Sequence, residues 1–288
     1  MPKVEVNGVS LEYIEDGMGQ PVVFVHGSTG DLRTWTYQVG AFASKYRVVA
    51  LSCRHHYPNA EIPDSVDLSV PTLTQDLAAF LRALDLAPAH LVGHEAGAFV
   101  CLLLACNEPQ LIRTLVLAEP PVMSLLGLGD PPKPQQLLRL LVRSPRTAVP
   151  VLRFGVRGIV PAERAFARED DERGLRTFMR ALFGRETFAK LPEARRQQAH
   201  DNIRPLKARF RAGLPPFGEA AARHIGAPTL LVTGEHSAPA LHRLTDRLER
   251  LIPRVERAEI RNTSHGMYED NPAAFNEAVL AFLERHGN

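Results

Sequence analysis

Cysteine is scarce in this chain: Cys53, Cys101 and Cys106 are the three thiols in 288 residues. Three is too few and too odd a number for a disulfide framework, and none forms a C-x-x-C pair. Two sit in the apolar run CLLLAC and read as buried thiols. Long apolar runs are missing too. No stretch approaches the roughly 20 apolar residues that cross a bilayer, and the opening MPKVEVNGVSLEY lacks the apolar core of a signal peptide. A cytoplasmic address without a membrane span is the expectation. An excess of one charge is also absent: 34 Lys and Arg oppose 32 Asp and Glu, for a formal net charge of +2. No motif for nucleic-acid binding accompanies that balance. The distribution is less even, because residues 122–222 hold 19 Lys and Arg against 10 Asp and Glu. Such a bias marks either a solvated helical face or attraction for anionic substrates or an acidic surface.

What is present describes an ordinary soluble chain, 45% apolar and 23% charged, long enough for one large α/β core. KVEVNGVSLEY alternates apolar positions around Asn7-Gly8, the dipeptide suited to a two-residue hairpin turn. The run Pro21 to Val25 has no polar alternation, as expected of a strand covered on both faces. YRVVALS, AHLVG, IRTLVLAEP and APTLLVTGE repeat that pattern, and VERAEIR closes the series. Helices alternate with them: Leu77, Phe80, Leu81 and Leu84 fall at helical spacing, as do Leu241, Leu244, Leu248 and Leu251. Near the end, Asn271 can cap a helix that Pro272 opens and that buries Phe275, Val279, Phe282 and Leu283. This rhythm predicts an α/β fold, a mostly parallel sheet with helices on both faces. The strand signal stops between about Pro121 and Ile225. Residues 122–225 are therefore expected to form a helical lid over the strands' carboxyl ends, with 1–121 and 226–288 as the core.

A strand that turns tightly into a helix through glycines is the setting of the G-x-S-x-G nucleophile elbow. Residues 91–100, LVGHEAGAFV, have that shape, yet Gly93-His94-Glu95-Ala96-Gly97 puts a carboxylate where the serine belongs. Two further features fall in order at expected strand ends, His26-Gly27-Ser28-Thr29-Gly30 early and Ser264-His265-Gly266 late. In this order and placement the chain resembles the α/β-hydrolase fold superfamily over nearly its whole length apart from the insertion. The resemblance implies an oxyanion hole from the backbone N–H groups of Ser28 and Ala96, with His265 as the general base. It leaves the third member open. The commonest position, three residues past the glycine of LLVTGEHSAPA, holds Ser237, which cannot support an imidazolium. Branches that include the haloalkane dehalogenases take the acid from the end of the strand after the elbow helix, where LVLAEPP offers Glu119. Glu119 is the favoured acid and Glu235 the fallback; the plainer role for Glu119 is a strand-end cap. His55 and His56 are not read as metal ligands, since adjacent side chains diverge and no partner set is spaced for zinc. HEAGA lacks the second histidine of H-E-x-x-H.

A carboxylate at the elbow is already ionised near neutral pH and needs no base before it attacks. Superfamily members with Asp there, the epoxide hydrolases and haloalkane dehalogenases, form an ester with the enzyme and hydrolyse it with a water that the histidine activates. By that resemblance Glu95 is the nucleophile, His265 the water-activating base and Glu119 the orienting acid. Glu is one methylene longer than Asp, about 1.5 Å, and a misplacement of that size costs on the order of 100-fold in rate. All five tyrosines, Tyr13, Tyr37, Tyr46, Tyr57 and Tyr268, lie outside the insertion that supplies the ring-protonating tyrosines of such epoxide hydrolases. Position 96 is Ala, where dehalogenases often place a Trp for the halide. The expectation is hydrolysis of a small, largely apolar substrate through a carboxylate-centred site, with no metal or organic cofactor. Three other readings stay open: direct acid–base chemistry by Glu95 and His265 in a lyase, isomerase or cyclase, an inactive ligand binder, or a Glu standing in place of a natural serine.

Overall fold

A computed structural model describes residues 1–60 and 67–287. The chain opens with the hairpin of β1 (Lys3–Val6) and β2 (Val9–Asp16), turned by Asn7 and Gly8, both at positive φ. The apolar runs become β3 (Pro21–Val25), β4 (Arg47–Leu51), β5 (Ala89–His94), β6 (Ile112–Ala118), β7 (Thr229–Gly234) and β8 (Val255–Ile260). They form one sheet in the order β1-β2-β4-β3-β5-β6-β7-β8. β2 pairs antiparallel with β1 and β4, and every other neighbouring pair is parallel.

The core helices are α1 (Thr36–Ala43), α2 (Val70–Ala83) and α3 (Ala96–Asn107). Between β6 and β7 the described residues form no strand. They form α4 (Pro134–Arg143), α5 (Pro145–Phe154), a single π-helical turn at Gly155–Ile159, α6 (Val160–Phe166), α7 (Asp171–Phe183), α8 (Arg185–Lys190), α9 (Glu193–Asp201), α10 (Ile203–Ala212) and α11 (Glu219–Arg223). The core resumes with α12 (Pro239–Glu249), α13 (Met267–Asp270) and α14 (Pro272–His286). Asn271 caps α14 as its sequence position suggests, its side-chain oxygen accepting from the Ala274 N–H at 3.2 Å.

Alternation within the strands decides which face each side chain enters. Val22 and Phe24 of β3 point to the layer of α1 and α14, where Phe42, Phe275, Val279 and Phe282 are fully buried. Val23 and Val25 point the other way, toward Leu77 and Phe80 of α2, Phe99 of α3 and Leu244 of α12. Burying side chains of this size contributes about 1.5–3 kcal/mol each, so the two layers cover both faces of the sheet and leave its strand ends free for chemistry.

The helical insertion is anchored to one of those ends by polar contacts. From α9, Arg195 donates to the carbonyl and hydroxyl oxygens of Thr29, both at 2.9 Å. Gln198 and Asn202 donate to the carboxylate of Asp31 at 2.9 and 2.8 Å. Asp31 is fully buried, and such a charge is tolerable only with donors on both oxygens. The insertion thus closes on the loop between β3 and α1.

Candidate active site

Three strand ends converge beneath the insertion. The first is the turn from β5 into α3. Glu95 occupies it with φ 48° and ψ −115°, a conformation that costs a non-glycine residue of order 1–3 kcal/mol and persists because the surroundings impose it. Gly97 is part of that imposition. A Cβ there would lie 2.3 Å from the Val25 carbonyl oxygen and 2.4 Å from that of His26, so only glycine lets α3 pack so close to β3. The consequence is a side chain at position 95 that stands clear of the helix with its carboxylate free to choose partners.

Its partners are the groups expected to bind a substrate oxygen. The Ser28 N–H donates to Glu95 Oε2 at 2.6 Å. The second donor expected in the oxyanion hole, the Ala96 N–H, also acts on this carboxylate. Arg209, from α10, brings its Nη2 to 3.9 Å from Glu95 Oε1 and donates from Nε to the Ser28 hydroxyl at 3.0 Å. Burial opposes the charged form of Glu95; the Arg209 guanidinium and the donors of Ser28 and Ala96 outweigh it and hold the carboxyl below its ordinary range. Glu95 is 5% exposed and ionised at neutral pH.

The second and third strand ends supply a buried dyad. Glu119 follows β6 at φ 52°, and its Oε2 lies 2.6 Å from His265 Nδ1. Its other oxygen accepts from the Gly234 N–H at 3.1 Å. With the carboxylate at Nδ1, the proton of the neutral ring is held there and Nε2 presents its lone pair. That Nε2 is buried and has no hydrogen-bond partner among the described residues. The loop carrying His265 lies so close to the end of β7 that a Cβ on Gly234 would fall 2.1 Å from the Ser264 carbonyl oxygen. Glu235, the fallback acid, points elsewhere: it is exposed and accepts from the Asn262 N–H at 2.8 Å. Ser237 is buried, with its hydroxyl unpaired among the described residues.

Two more histidines brace this centre in neutral form. His94 donates from Nε2 to the His265 carbonyl at 2.9 Å, and its ring lies 4.4 Å from that of His265. Burial first, then the neighbouring His265, pushes His94 well down from its usual range. His26 accepts the Cys53 N–H at Nε2 and donates from Nδ1 to the Gly27 carbonyl, which fixes the loop holding Ser28. His56 meets the His26 ring edge-on with centroids 4.7 Å apart and His55 reaches the Ala60 carbonyl, so the adjacent pair diverges as its sequence position implies.

A cavity of about 160 Å³ adjoins Glu95. Its wall is mostly apolar, with Met123, Phe154, Ile159, Phe178, Leu182 and Leu241 among its members; the ionisable residues on it are Glu95, Asp130, Glu163 and Arg209. No tyrosine walls it among the described residues. The pocket expected to be shared by Glu95, His265 and Glu119 is in fact lined by Glu95 without the dyad. Phe183 of α7 stacks edge-on against the His265 ring, with centroids 5.6 Å apart, and covers it from that side. Arg209 and Phe183 escaped the sequence reading. The basic bias of residues 122–222 is the only trace Arg209 leaves there, and Phe183 leaves none.

The sequence model of the alpha/beta hydrolase family matches residues 22–278. The chain belongs to this family. Among similar α/β-hydrolase chains, bifunctional epoxide hydrolase 2 of Sus scrofa is 26% identical over 306 residues, covering 96% of this chain and 54% of that protein. Epoxide hydrolase 3 of Xenopus tropicalis is 24% identical over 288 residues, covering 98% of this chain and 77% of its own. The chain therefore spans about half the length of the first of these relatives. The crystal structure of the enol-lactonase from Burkholderia xenovorans LB400 superposes with a TM-score of 0.78 at 21% identity, covering 98% of this chain and all of the other, and shares its fold.

Proposed function

We propose that this α/β-hydrolase cleaves a small, largely apolar substrate through a covalent ester on Glu95, beneath the helical insertion acting as a lid. One observation carries the reading: the Glu95 carboxylate lies on a cavity wall with one oxygen already held by the Ser28 N–H at 2.6 Å, beside the Arg209 guanidinium that favours its charged form. In the first step Oε1 attacks an electrophilic carbon and the bond to the leaving atom breaks, its electron pair going to that atom. Negative charge moves from Glu95 to the leaving atom, and Arg209, whose Nη1 is buried without a partner among the described residues, is placed to receive it. The guanidinium thus keeps one anionic partner throughout, which avoids an unpaired buried charge.

In the second step His265 Nε2 takes a proton from water, and the resulting hydroxide attacks the ester carbon of Glu95. Charge develops on Oε2, already held by the Ser28 N–H, where a preorganised N–H group acts most strongly. Collapse releases the alcohol, whose oxygen takes the proton from His265, and the Glu95 carboxyl passes its remaining proton to the anionic leaving atom or to water and returns to the carboxylate. Glu119 holds the imidazolium in between. Relatives named as epoxide hydrolases support the hydrolytic class. The Arg209–Glu95 pair favours one other reading, a binder in which the filled hole never opens.

Exposure of a His265→Ala variant to panels of epoxides, haloalkanes and esters tests the proposal. Intact mass is expected to rise by a trapped adduct on the peptide holding Glu95. For substrates turned over by the wild type in 18O-labelled water, the first-turnover product is expected to carry unlabelled oxygen from Glu95. Turnover with labelled oxygen in that first product would refute covalent attack, and neither adduct nor turnover across the panels would leave the binder.

A further inference from the structure

Between Asp130 and Glu163 the chain carries no carboxylate, whereas Lys133, Arg139, Arg143, Arg146, Arg153 and Arg157 all fall within it. This stretch is α4, α5 and the π-helical turn, and its inner face is short. Leu140, Ala148 and Val151 pack with Leu128 and Ala240 into a small cluster. The outer face is apolar without being covered: Leu138 is 63% exposed, Val142 75%, Val149 58% and Val156 66%. Leu138 and Val142 are four residues apart and share one side of α4. On α5, Arg146, Val149 and Arg153 fall at i, i+3 and i+7, so cations and an apolar side chain alternate along one exposed stripe.

Carboxylates on neighbouring elements do not neutralise this face. Glu219 is paired with Arg247 and Asp246 with Arg243 and Arg257, so these carboxylates are already engaged beside Arg139, Arg143 and Arg250. The same stretch contributes Pro132, Phe154, Gly155 and Ile159 to the wall of the cavity beside Glu95. An apolar stripe edged by cations is the composition of a helix that lies in the plane of an anionic bilayer, its apolar side chains below the headgroups and its arginines among the phosphates. We infer that α4, α5 and the π-helical turn form a peripheral docking surface for anionic membrane lipid. Docked there, a stretch that walls the cavity lies against the lipid. This inference is independent of the chemistry assigned to Glu95.

Co-sedimentation with vesicles tests it on the whole chain. Vesicles of phosphatidylcholine with about 30% phosphatidylglycerol are expected to bind the protein at least about tenfold more tightly than phosphatidylcholine alone, with loss of binding as salt is raised. Leu138→Glu with Val142→Glu, and separately Arg146→Glu with Arg153→Glu, are each expected to abolish most of that difference. All four side chains are exposed. Unchanged thermal unfolding of the variants ties the loss to the surface. Equal binding to both vesicle types, binding indifferent to both pairs, or no binding together with a dimer that the Leu138 and Val142 pair disrupts would each overturn the inference; the last would assign the face to a second copy of the chain.

Discussion

Removal of the guanidinium beside the elbow tests how the Glu95 charge is held. Arg209 Nη2 and Glu95 Oε1 are 3.9 Å apart, with both side chains largely buried. Coulomb's law at that separation gives about 1 kcal/mol in a water-like medium and about 4 kcal/mol at an effective dielectric near 20, and burial favours the upper end. In Arg209→Gln, burial of Glu95 is opposed only by the donors of Ser28 and Ala96, so the carboxyl is expected to titrate at higher pH than in the wild type. The sign for stability follows from the lowered folded-state pKa. Such a carboxylate contributes stability that is present above its unfolded value and lost as pH falls through the folded one. The destabilisation caused by Arg209→Gln is therefore largest near neutrality, about 1–4 kcal/mol, and shrinks in acid as Glu95 is protonated in both proteins. Carbon-13 NMR of the glutamate carboxyls, assigned with Glu95→Gln, follows the titration. A double-mutant cycle in denaturant at neutral pH measures the coupling. A Glu95 resonance that titrates identically with and without Arg209, or a coupling near zero, would refute the pairing as the source of the lowered pKa.

Glu95→Ser removes the carboxylate from the donors of Ser28 and Ala96 and places a hydroxyl at the same elbow, while the Glu119–His265 dyad is untouched. Hydrolysis of short p-nitrophenyl esters is expected to rise well above that of the wild type; no rise, with the fold intact by circular dichroism, would mean that His265 Nε2 does not reach position 95. A separate expectation concerns acid. Burial, then the neighbouring His26, lowers His56 from 6.5 to about 3, so the unfolded chain binds the proton first and stability falls as pH drops from about 6.5 toward 3. The share from His56 at pH 5 is about 2 kcal/mol, and denaturant midpoints at pH 7.5 and 5 are expected to differ less in His56→Gln than in the wild type.

What was legible in the sequence is what local chemistry decides. Apolar runs without alternation name strands buried on both faces, and Asn7-Gly8 and Asn271-Pro272 name a turn and a cap, because each rests on residues a few positions apart. The bend at residue 95 is legible for the same reason: Gly93 and Gly97 flank it within one turn of chain. Glu119 was legible as a strand-end carboxylate because its backbone position follows from β6, and His265 from the short loop before α13. Arg209, Arg195 and Phe183 were not, because their places depend on how the insertion packs back across the strand ends. Nothing in the neighbours of Arg209 distinguishes it from the other arginines of the insertion, which largely face solvent. Packing selects it.

The extra methylene of Glu95 shows the same division between local and tertiary control. Judged from the sequence, a side chain about 1.5 Å longer than Asp counts against the site, because it misplaces an attacking oxygen. In the folded protein the carboxylate reaches the Ser28 N–H at 2.6 Å, so the longer side chain ends in a hydrogen bond. The contact also accounts for the empty side of His265. An ionised Glu95 has no proton to donate to the imidazole Nε2, its Oε2 is engaged by Ser28, and the lone pair left unpaired among the described residues is what a water-activating base requires. The cation from the insertion and the donors from the early loop thus decide which way the elbow side chain leans, and the freedom of His265 follows from that choice.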